Sequence, residues 1–264
     1  MFRQRVASSL VGIPIVLAVT WIGGLPFALL IGVIGAAALR EFYQLTGVDA
    51  RDLRSLGYAG HFLLLLLALQ FGMQAYYAGL VGLFLVVNVF WILFFPRSFL
   101  APAFLLWGKV YITTLLSFFL LLRGADNGLS AVMAVLLAVW ASDSGAYLVG
   151  ITLGRRKLLP AVSPKKSVEG AVGGVAFSAL VLLAAGPYLG LEGLLAVTFG
   201  IILSVAGQAG DLAESALKRW GNTKDSGSFL PGHGGVLDRL DSLLFAVPVG
   251  YLFFQILIWQ GGRL

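Results

Sequence analysis

Residues 208–242 form a polar segment between two apolar stretches, and they include the side chains best suited to chemistry. The segment holds five of the chain's twelve carboxylates, four of its eighteen lysines and arginines, one of its two histidines and six glycines. Charged groups are costly to keep beside hydrocarbon, so the cluster needs strong compensation or a function. Carboxylates bind divalent metal ions, cations bind phosphate, and glycines let the backbone approach an anion closely. These residue types therefore indicate a site for a metal ion and a phosphate.

The first part of this segment has helical spacing. Asp211, Ser215 and Lys218 stand at i, i+4 and i+7, so they share one face if the preceding helix continues past Gly210. A helix end with solvated charges explains the same pattern equally well. Further along, residues 231–235 (PGHGG) cannot form a regular helix. Their glycines are suited to a phosphate-binding loop, although glycines also simply make turns.

Two further carboxylates favour the metal site. Asp238 and Asp241 stand at i and i+3 where the last apolar segment begins, with Arg239 between them. The helix dipole stabilises each carboxylate by only about 0.3–1 kcal/mol, too little to explain acids entering a membrane span. A divalent cation bound by Asp211 and Asp238 explains them better. Because the chain has no cysteine and only two histidines, oxygen ligands favour Mg²⁺ or Mn²⁺ over Zn²⁺, and we expect one or two Mg²⁺ ions.

Two features outside this segment also suggest chemistry. Lys165 and Lys166, held by the rigid Pro164, are expected to contact a phosphate, whereas Arg155, Arg156 and Lys157 could equally set topology or bind anionic lipid. Asp143 lies inside an apolar segment, where a carboxylate faces a polar cavity or makes a structural hydrogen bond to another helix.

Composition defines the setting of the site. The chain is 59% hydrophobic and 11% charged, with a mean hydropathy of +0.94, against about 25% charged residues in soluble proteins. We therefore predict an all-α integral membrane protein, a polytopic bundle of about nine transmembrane helices in a single transmembrane domain spanning 1–264. The N-terminal spans occupy about 1–125, and the catalytic spans and cytoplasmic loops about 128–264. The predicted apolar segments are 8–22, 25–39, 56–71, 76–95, 102–122, 128–151, 169–186, 191–210 and 242–260.

The distribution of positive charge predicts orientation. If the N-terminus is cytoplasmic, fifteen of the eighteen lysines and arginines lie on the cytoplasmic side. Within the spans, Lys109 is expected to snorkel toward the cytoplasm and His61 to lie at the membrane interface. The net charge of +6 does not indicate nucleic-acid binding, because no soluble face is available to carry a basic stripe.

Three motifs together carry a family resemblance. SPKKSVEG at 163–170, GDLAES at 210–215 and LKRWGNTKDSGSFLPGHGGVLDRLDS at 217–242 resemble those of the phosphatidate cytidylyltransferases, and SDSGAY at 142–147 resembles a further family segment. The resemblance is specific over the C-terminal half and general over 1–130. It implies an integral membrane enzyme that converts CTP and phosphatidate to CDP-diacylglycerol and pyrophosphate.

The resemblance also implies roles for individual residues. Asp211 and Asp238 are the principal metal-site carboxylates, with Asp241 nearby. We expect Lys218, Arg219 and Arg239 to bind phosphates, Lys165 and Lys166 to bind the triphosphate or lipid headgroup, and His233 to orient a phosphate or shuttle a proton. The remaining expected substrate contacts are Ser167, Ser215, Lys224, Asp143, Gly234 and Gly235.

The expected location is a bacterial inner membrane with the active site facing the cytoplasm. The oligomeric state stays open, a homodimer included.

Two other functions share some of these features. A transporter would move Mg²⁺ or protons through intramembrane carboxylates, but its site would lie near the bilayer midplane in repeated halves, and no repeat is visible. A lipid kinase or CDP-alcohol phosphotransferase would also use metal and cations. The DGxxAR-type carboxylate series of the latter is absent from the sequence.

Overall fold

The computed structural model describes residues 2–94, 99–227 and 234–259, which are almost entirely helical. The helices are α1 (Phe2–Ile22), α2 (Gly24–Leu45), α3 (Arg51–Leu93), α4 (Leu100–Gly108), α5 (Leu115–Gly124), α6 (Gly128–Leu153), α7 (Val168–Ala185), α8 (Gly193–Trp220) and α9 (Leu237–Phe253). A π-helical turn, Lys109–Thr114, joins α4 to α5, and another, Phe254–Trp259, follows α9. A short 3₁₀ helix, Gly186–Leu189, follows α7.

The helices have the length and composition of membrane spans. Over the described residues, seven helical segments are long and apolar enough to cross a bilayer, and α1 contributes a shorter apolar stretch, Gly12–Ile22. Many large apolar side chains face outward, among them Leu66, Phe84 and Leu194. An apolar exterior is suited to lipid rather than water. The predicted all-α polytopic membrane protein is confirmed, whereas the number of nine spans stays a prediction.

Helix α3 corresponds to two of the predicted segments. Its 43 residues would extend about 65 Å as a straight helix, twice the thickness of the hydrocarbon core. Gly72 interrupts it with φ 75° and ψ −171°, a conformation that glycine adopts without strain. A methyl group placed on Gly60 would come within 2.9 Å of the Leu83 side chain. Residues this far apart in sequence touch only if the chain folds back at Gly72, so α3 is an antiparallel helical hairpin.

The chain divides into two compact units, and the first comprises Met1–Leu121 together with Asp225–Leu237. Its interior holds polar side chains that the sequence suggested would lie nearer water. Lys109 is fully buried, donates from Nζ to the Gly57 carbonyl and lies 5.9 Å from the centre of the Tyr43 ring, so the expected snorkelling is wrong. His61 is also fully buried in the protein, and its position at the membrane interface stays a prediction. Interior carbonyl, hydroxyl and aromatic groups solvate these side chains in place of water.

The second unit comprises Leu122–Lys224 and Asp238–Leu264. Small residues let its helices approach closely, as is common between membrane helices. A methyl group on Gly145 would collide with Phe177 of α7, and one on Gly200 would lie 2.8 Å from Ala179. Ser142 of α6 and Ser204 of α8 share a hydrogen bond of 2.7 Å. These contacts hold α6, α7 and α8 together.

A small antiparallel hairpin interrupts the helices of this unit. Strands β1 (Lys157–Leu159) and β2 (Ser163–Ser167) pair Lys157 with Ser167 and Leu159 with Ser163. The sequence predicted only a loop here. Two interactions fix the hairpin to α7. Ser167 Oγ accepts from the Gly170 amide as the N-cap of the helix, and Glu169 accepts from the backbone amides of Arg155 and Arg156.

Candidate functional site

Helix α8 extends to Trp220, so the condition on which a shared face of Asp211, Ser215 and Lys218 depended is met. Asp211 and Ser215 therefore lie one turn apart, and Ser215 Oγ donates to Asp211 Oδ1 at 3.3 Å. A methyl group on Gly210 would collide with the Asp241 carbonyl. The absence of a side chain there lets α8 pass close to the start of α9 and brings the carboxylates of both helices into one region.

Lys218 lies between two carboxylates at the end of α8. Its Nζ donates to Asp238 Oδ1 at 2.6 Å and forms an ion pair with Glu214. Glu214 is fully buried, whereas Asp238 and Lys218 are partly exposed. A buried carboxylate without a cation would be strongly unfavourable, so Glu214 helps to hold the ammonium of Lys218 at this position. The sequence left the role of Glu214 open.

Lys166 brings the β hairpin to the same carboxylates. It follows Pro164 on β2 and forms an ion pair with Asp211, with each side chain nearly 30% exposed. Because Ser167 and Glu169 fix the hairpin to α7, the position of Lys166 is determined by regular structure rather than by a free loop. Its neighbour Lys165 is exposed.

Two more carboxylates complete the cluster. Asp143 of α6 lies within electrostatic reach of Asp211, Lys166 and Arg239. Asp241 of α9 lies within electrostatic reach of Asp211 and Asp143. Like charges at close range destabilise one another unless cations offset them. Bound cations would therefore stabilise the carboxylates of this region.

The donor chemistry of this cluster fits a hard divalent cation. Asp211, Asp238 and Asp241 offer only oxygen ligands, which Mg²⁺ prefers. Among the described residues, no group of three or more acidic or histidine side chains is already arranged to coordinate a metal ion. Instead, the ammonium groups of Lys166 and Lys218 lie against Asp211 and Asp238.

Three other predicted phosphate or substrate contacts, Arg219, Lys224 and Arg239, are exposed side chains. Arg219 points toward the hairpin turn and donates from Nε to the Val162 carbonyl at 3.3 Å and from Nη1 to the Thr223 carbonyl at 3.2 Å. His233 lies outside the described residues, so its role stays a prediction.

The glycines at the end of residues 231–235 have specific surroundings. Gly234 has φ 84°, a conformation that favours glycine. Gly235 is buried against the side chains of Ser226 and Glu41 in the first unit. The anion that Gly235 approaches in the structure is therefore a carboxylate of the protein itself, and substrate binding by Gly234 and Gly235 stays a prediction.

A polar side chain inside the helices, Gln208, supports the site although it was not among the predicted site residues. Gln208 Nε2 donates to the Ala171 carbonyl at 3.1 Å and to Ser204 Oγ at 3.0 Å. It lies three residues before Asp211 and joins α8 to α7. A polar amide in an otherwise apolar span is a signal for such a contact, because an unpaired amide in hydrocarbon is costly.

Comparison with known proteins gives one consistent result. The sequence model of the cytidylyltransferase family matches residues 3–257. A phosphatidate cytidylyltransferase of Bacillus subtilis (strain 168) is 36% identical over 274 residues, which cover 98% of each chain. Proteins of the same name from Staphylococcus epidermidis (strain ATCC 12228 / FDA PCI 1200) and Staphylococcus aureus (strain COL) are 34% and 32% identical over 94% of this chain and 96% of their own. The match covers the helices of both units as well as the acidic cluster, and the chain belongs to the cytidylyltransferase family.

Proposed function

We propose that this protein transfers the cytidylyl group of CTP to phosphatidate, producing CDP-diacylglycerol and pyrophosphate. Its family and the names of its relatives support this activity. The observation that carries the proposal is the pairing of Lys166 with Asp211 and of Lys218 with Asp238 in one acidic cluster. Such a cluster supplies both cations for phosphates and oxygen ligands for a metal ion.

The reaction is a substitution at phosphorus. An oxygen of the phosphatidate phosphate attacks the α-phosphorus of CTP, and a new phosphorus–oxygen bond forms. The bond between the α-phosphorus and the oxygen that bridges to the β-phosphate breaks, and that oxygen leaves with pyrophosphate. The lipid phosphate is already ionised, so the reaction needs no protein nucleophile. Both reactants are anionic, and catalysis consists mainly of positioning them and offsetting their charge.

The lysines of the cluster are suited to that task. Lys218 is held by two carboxylates and Lys166 by one, on a regular helix and a regular strand. Cations fixed before the substrate binds stabilise charge that develops during reaction without reorganising. Both lysines are partly exposed, which leaves their remaining N–H groups able to donate to substrate phosphates.

Asp211, Asp238 and Asp241 would hold Mg²⁺, with one or two ions involved. When bound, Mg²⁺ supplies further positive charge to the phosphate oxygens of both substrates. Asp143 lies within electrostatic reach of Asp211, and its negative charge would further favour bound cations. The proposed location is a bacterial inner membrane, with the cluster facing the cytoplasm where CTP is available.

The direct test uses purified protein in detergent micelles with CTP, phosphatidate and Mg²⁺. We expect equimolar CDP-diacylglycerol and pyrophosphate. Parallel assays replace CTP with ATP and phosphatidate with diacylglycerol, and neither should give product at a comparable rate. Equal rates with ATP would contradict cytidylyl transfer, and product from diacylglycerol would indicate a different lipid phosphotransferase.

A further inference from the structure

Glu41 on α2 is a buried carboxylate far in sequence from every motif described above. Only 4% of its surface is exposed. It lies in the first unit, which also contains Asp225–Leu237. A buried carboxylate is unfavourable unless several donors satisfy it, so its surroundings indicate what it does.

Three donors from one short region surround this carboxylate. Oε1 accepts from the Val236 amide at 2.9 Å. Oε2 accepts from the Leu237 amide at 2.8 Å and from Ser226 Oγ at 2.9 Å. These partners flank residues 227–235 on both sides. Glu41 therefore fixes the two ends of the glycine-rich segment against one helix.

The hydrogen bonds to Val236 and Leu237 resemble a helix cap provided from elsewhere in the chain. Helix α9 begins at Leu237, and its first amides have no partner within the helix. Valine, which precedes the helix, cannot cap with its side chain. Glu41, 196 positions away from Leu237, supplies the missing acceptors, and its negative charge is favourable beside a helix N-terminus.

The glycines beside Glu41 are explained by the same contact. A methyl group on Gly227 would lie 2.6 Å from Glu41 Oε1, and one on Gly235 would lie closer still to Oε2. Only glycine leaves room at both positions for the carboxylate. The backbone, Ser226 and both glycines thus fit around one side chain.

We infer that Glu41 is a positioning residue for nucleotidyl transfer, because it holds the start of α9 and thereby the carboxylate of Asp238. This inference rests on the function proposed above. Asp238 follows Leu237 by one peptide bond, and its Oδ1 accepts a hydrogen bond from Lys218 Nζ. A displacement of about 1 Å at a reacting group can cost about a hundredfold in rate, so loss of the Glu41 contacts should affect catalysis without Glu41 touching a substrate.

The test compares Glu41→Gln with the wild type in detergent. The substitution keeps the shape of the side chain but turns one acceptor oxygen into a donor that faces N–H or O–H groups. Hydrogen–deuterium exchange of peptides covering residues 234–240 should become faster. In the assay with CTP, phosphatidate and Mg²⁺, kcat should fall by about ten- to a hundredfold, while the KM for phosphatidate stays within about threefold. Ser226→Ala, which removes one of the three donors, should give smaller changes in the same direction.

Thr46→Val is the matched control, because Thr46 lies at the end of α2, is buried and donates from Oγ1 to the Phe42 carbonyl at 2.8 Å. This control should leave exchange at 234–240 and kcat at wild-type levels. Unchanged exchange in Glu41→Gln, or equal effects of Glu41→Gln and Thr46→Val, would overturn the inference. If Glu41→Gln does not fold, Ser226→Ala decides by the same criteria. A wild type inactive with CTP would contradict the proposed function and the catalytic part of this inference, whereas the exchange result would still decide whether Glu41 holds this segment.

Discussion

Charged side chains in the two units of this protein have different kinds of partner. In the first unit, His61, Lys109 and Glu41 each bind backbone or hydroxyl groups that are fixed in the fold. In the second unit, Lys166 and Lys218 bind the carboxylates of Asp211 and Asp238, and these groups remain partly exposed. Fixed backbone partners stabilise one arrangement, whereas accessible ion pairs can exchange partners with a phosphate or a metal ion. The difference separates charge that supports the fold from charge suited to chemistry.

Removal of divalent metal should have the largest effect on the second unit. Treatment with EDTA is expected to abolish CDP-diacylglycerol formation, because the acidic cluster then lacks the charge that offsets two anionic substrates. Readdition of Mg²⁺ or Mn²⁺ should restore the rate. The thermal midpoint of the first unit's helices should change little. Full activity in EDTA would contradict the proposed metal requirement.

Substitution of one carboxylate of the cluster should come next in size. Asp238→Asn keeps the side-chain volume but removes the negative charge that binds Lys218. We expect kcat to fall by about 10²–10³-fold, a typical cost of losing one electrostatic group from an active site. Asp126→Asn, an exposed acid of the same unit, is the control and should retain the wild-type rate. Comparable rates for both variants would contradict the assignment of Asp238.

A buried cation of the first unit should behave differently. Lys109→Ala removes the ammonium that binds the Gly57 carbonyl and leaves a cavity among buried side chains. The expected loss of stability is about 2–4 kcal/mol, measured by chemical denaturation in detergent. The kcat of the folded fraction should stay within about threefold of the wild type. A large fall in kcat with unchanged stability would contradict the assignment of Lys109 to support of the fold.

The smallest expected effect is that of removing a fixed hydrogen bond from the second unit. It tests whether a side chain supports the fold because its partner is a backbone group, whichever unit it lies in. Ser178 of α7 is fully buried in the second unit and donates to the Gly200 carbonyl at 2.8 Å. Ser178→Ala should lower stability by about 1 kcal/mol and leave kcat unchanged. A fall in kcat as large as that of Asp238→Asn would show that fixed hydrogen bonds in this unit also contribute directly to the reaction.

Several elements were predictable from local sequence because their physical cause is local. Apolar runs of about 20 residues form spanning helices, and the spacing of Asp211, Ser215 and Lys218 was compatible with a helix that continues past Gly210, as α8 does. Gly72 was not recognised as a hairpin turn, although the gap between two predicted spans fell there. The antiparallel pair β1–β2 was missed because its strands are only three and five residues long.

Other features depend on contacts between distant residues. Lys109 and His61 were placed near the membrane surface, since an isolated charged or polar side chain in a span is more stable there. The folded chain offers them the Gly57 carbonyl, Thr113 and the Gly32 carbonyl as partners. The side chain of Arg219 points to the hairpin turn because that turn presents a carbonyl, which its position on α8 does not reveal.

The sequence by itself determined the membrane setting, the helical class, the residue types of the acidic cluster and, through its motifs, the family. Each of these depends on composition or on spacings within one segment. Only the tertiary structure decided which cation pairs with which carboxylate. It also decided which backbone amides Glu41 binds, namely those just before Asp238. Hydrogen bonds and ion pairs act over about 3–4 Å, so a partner nearly 200 positions away is defined only when the fold brings the two together.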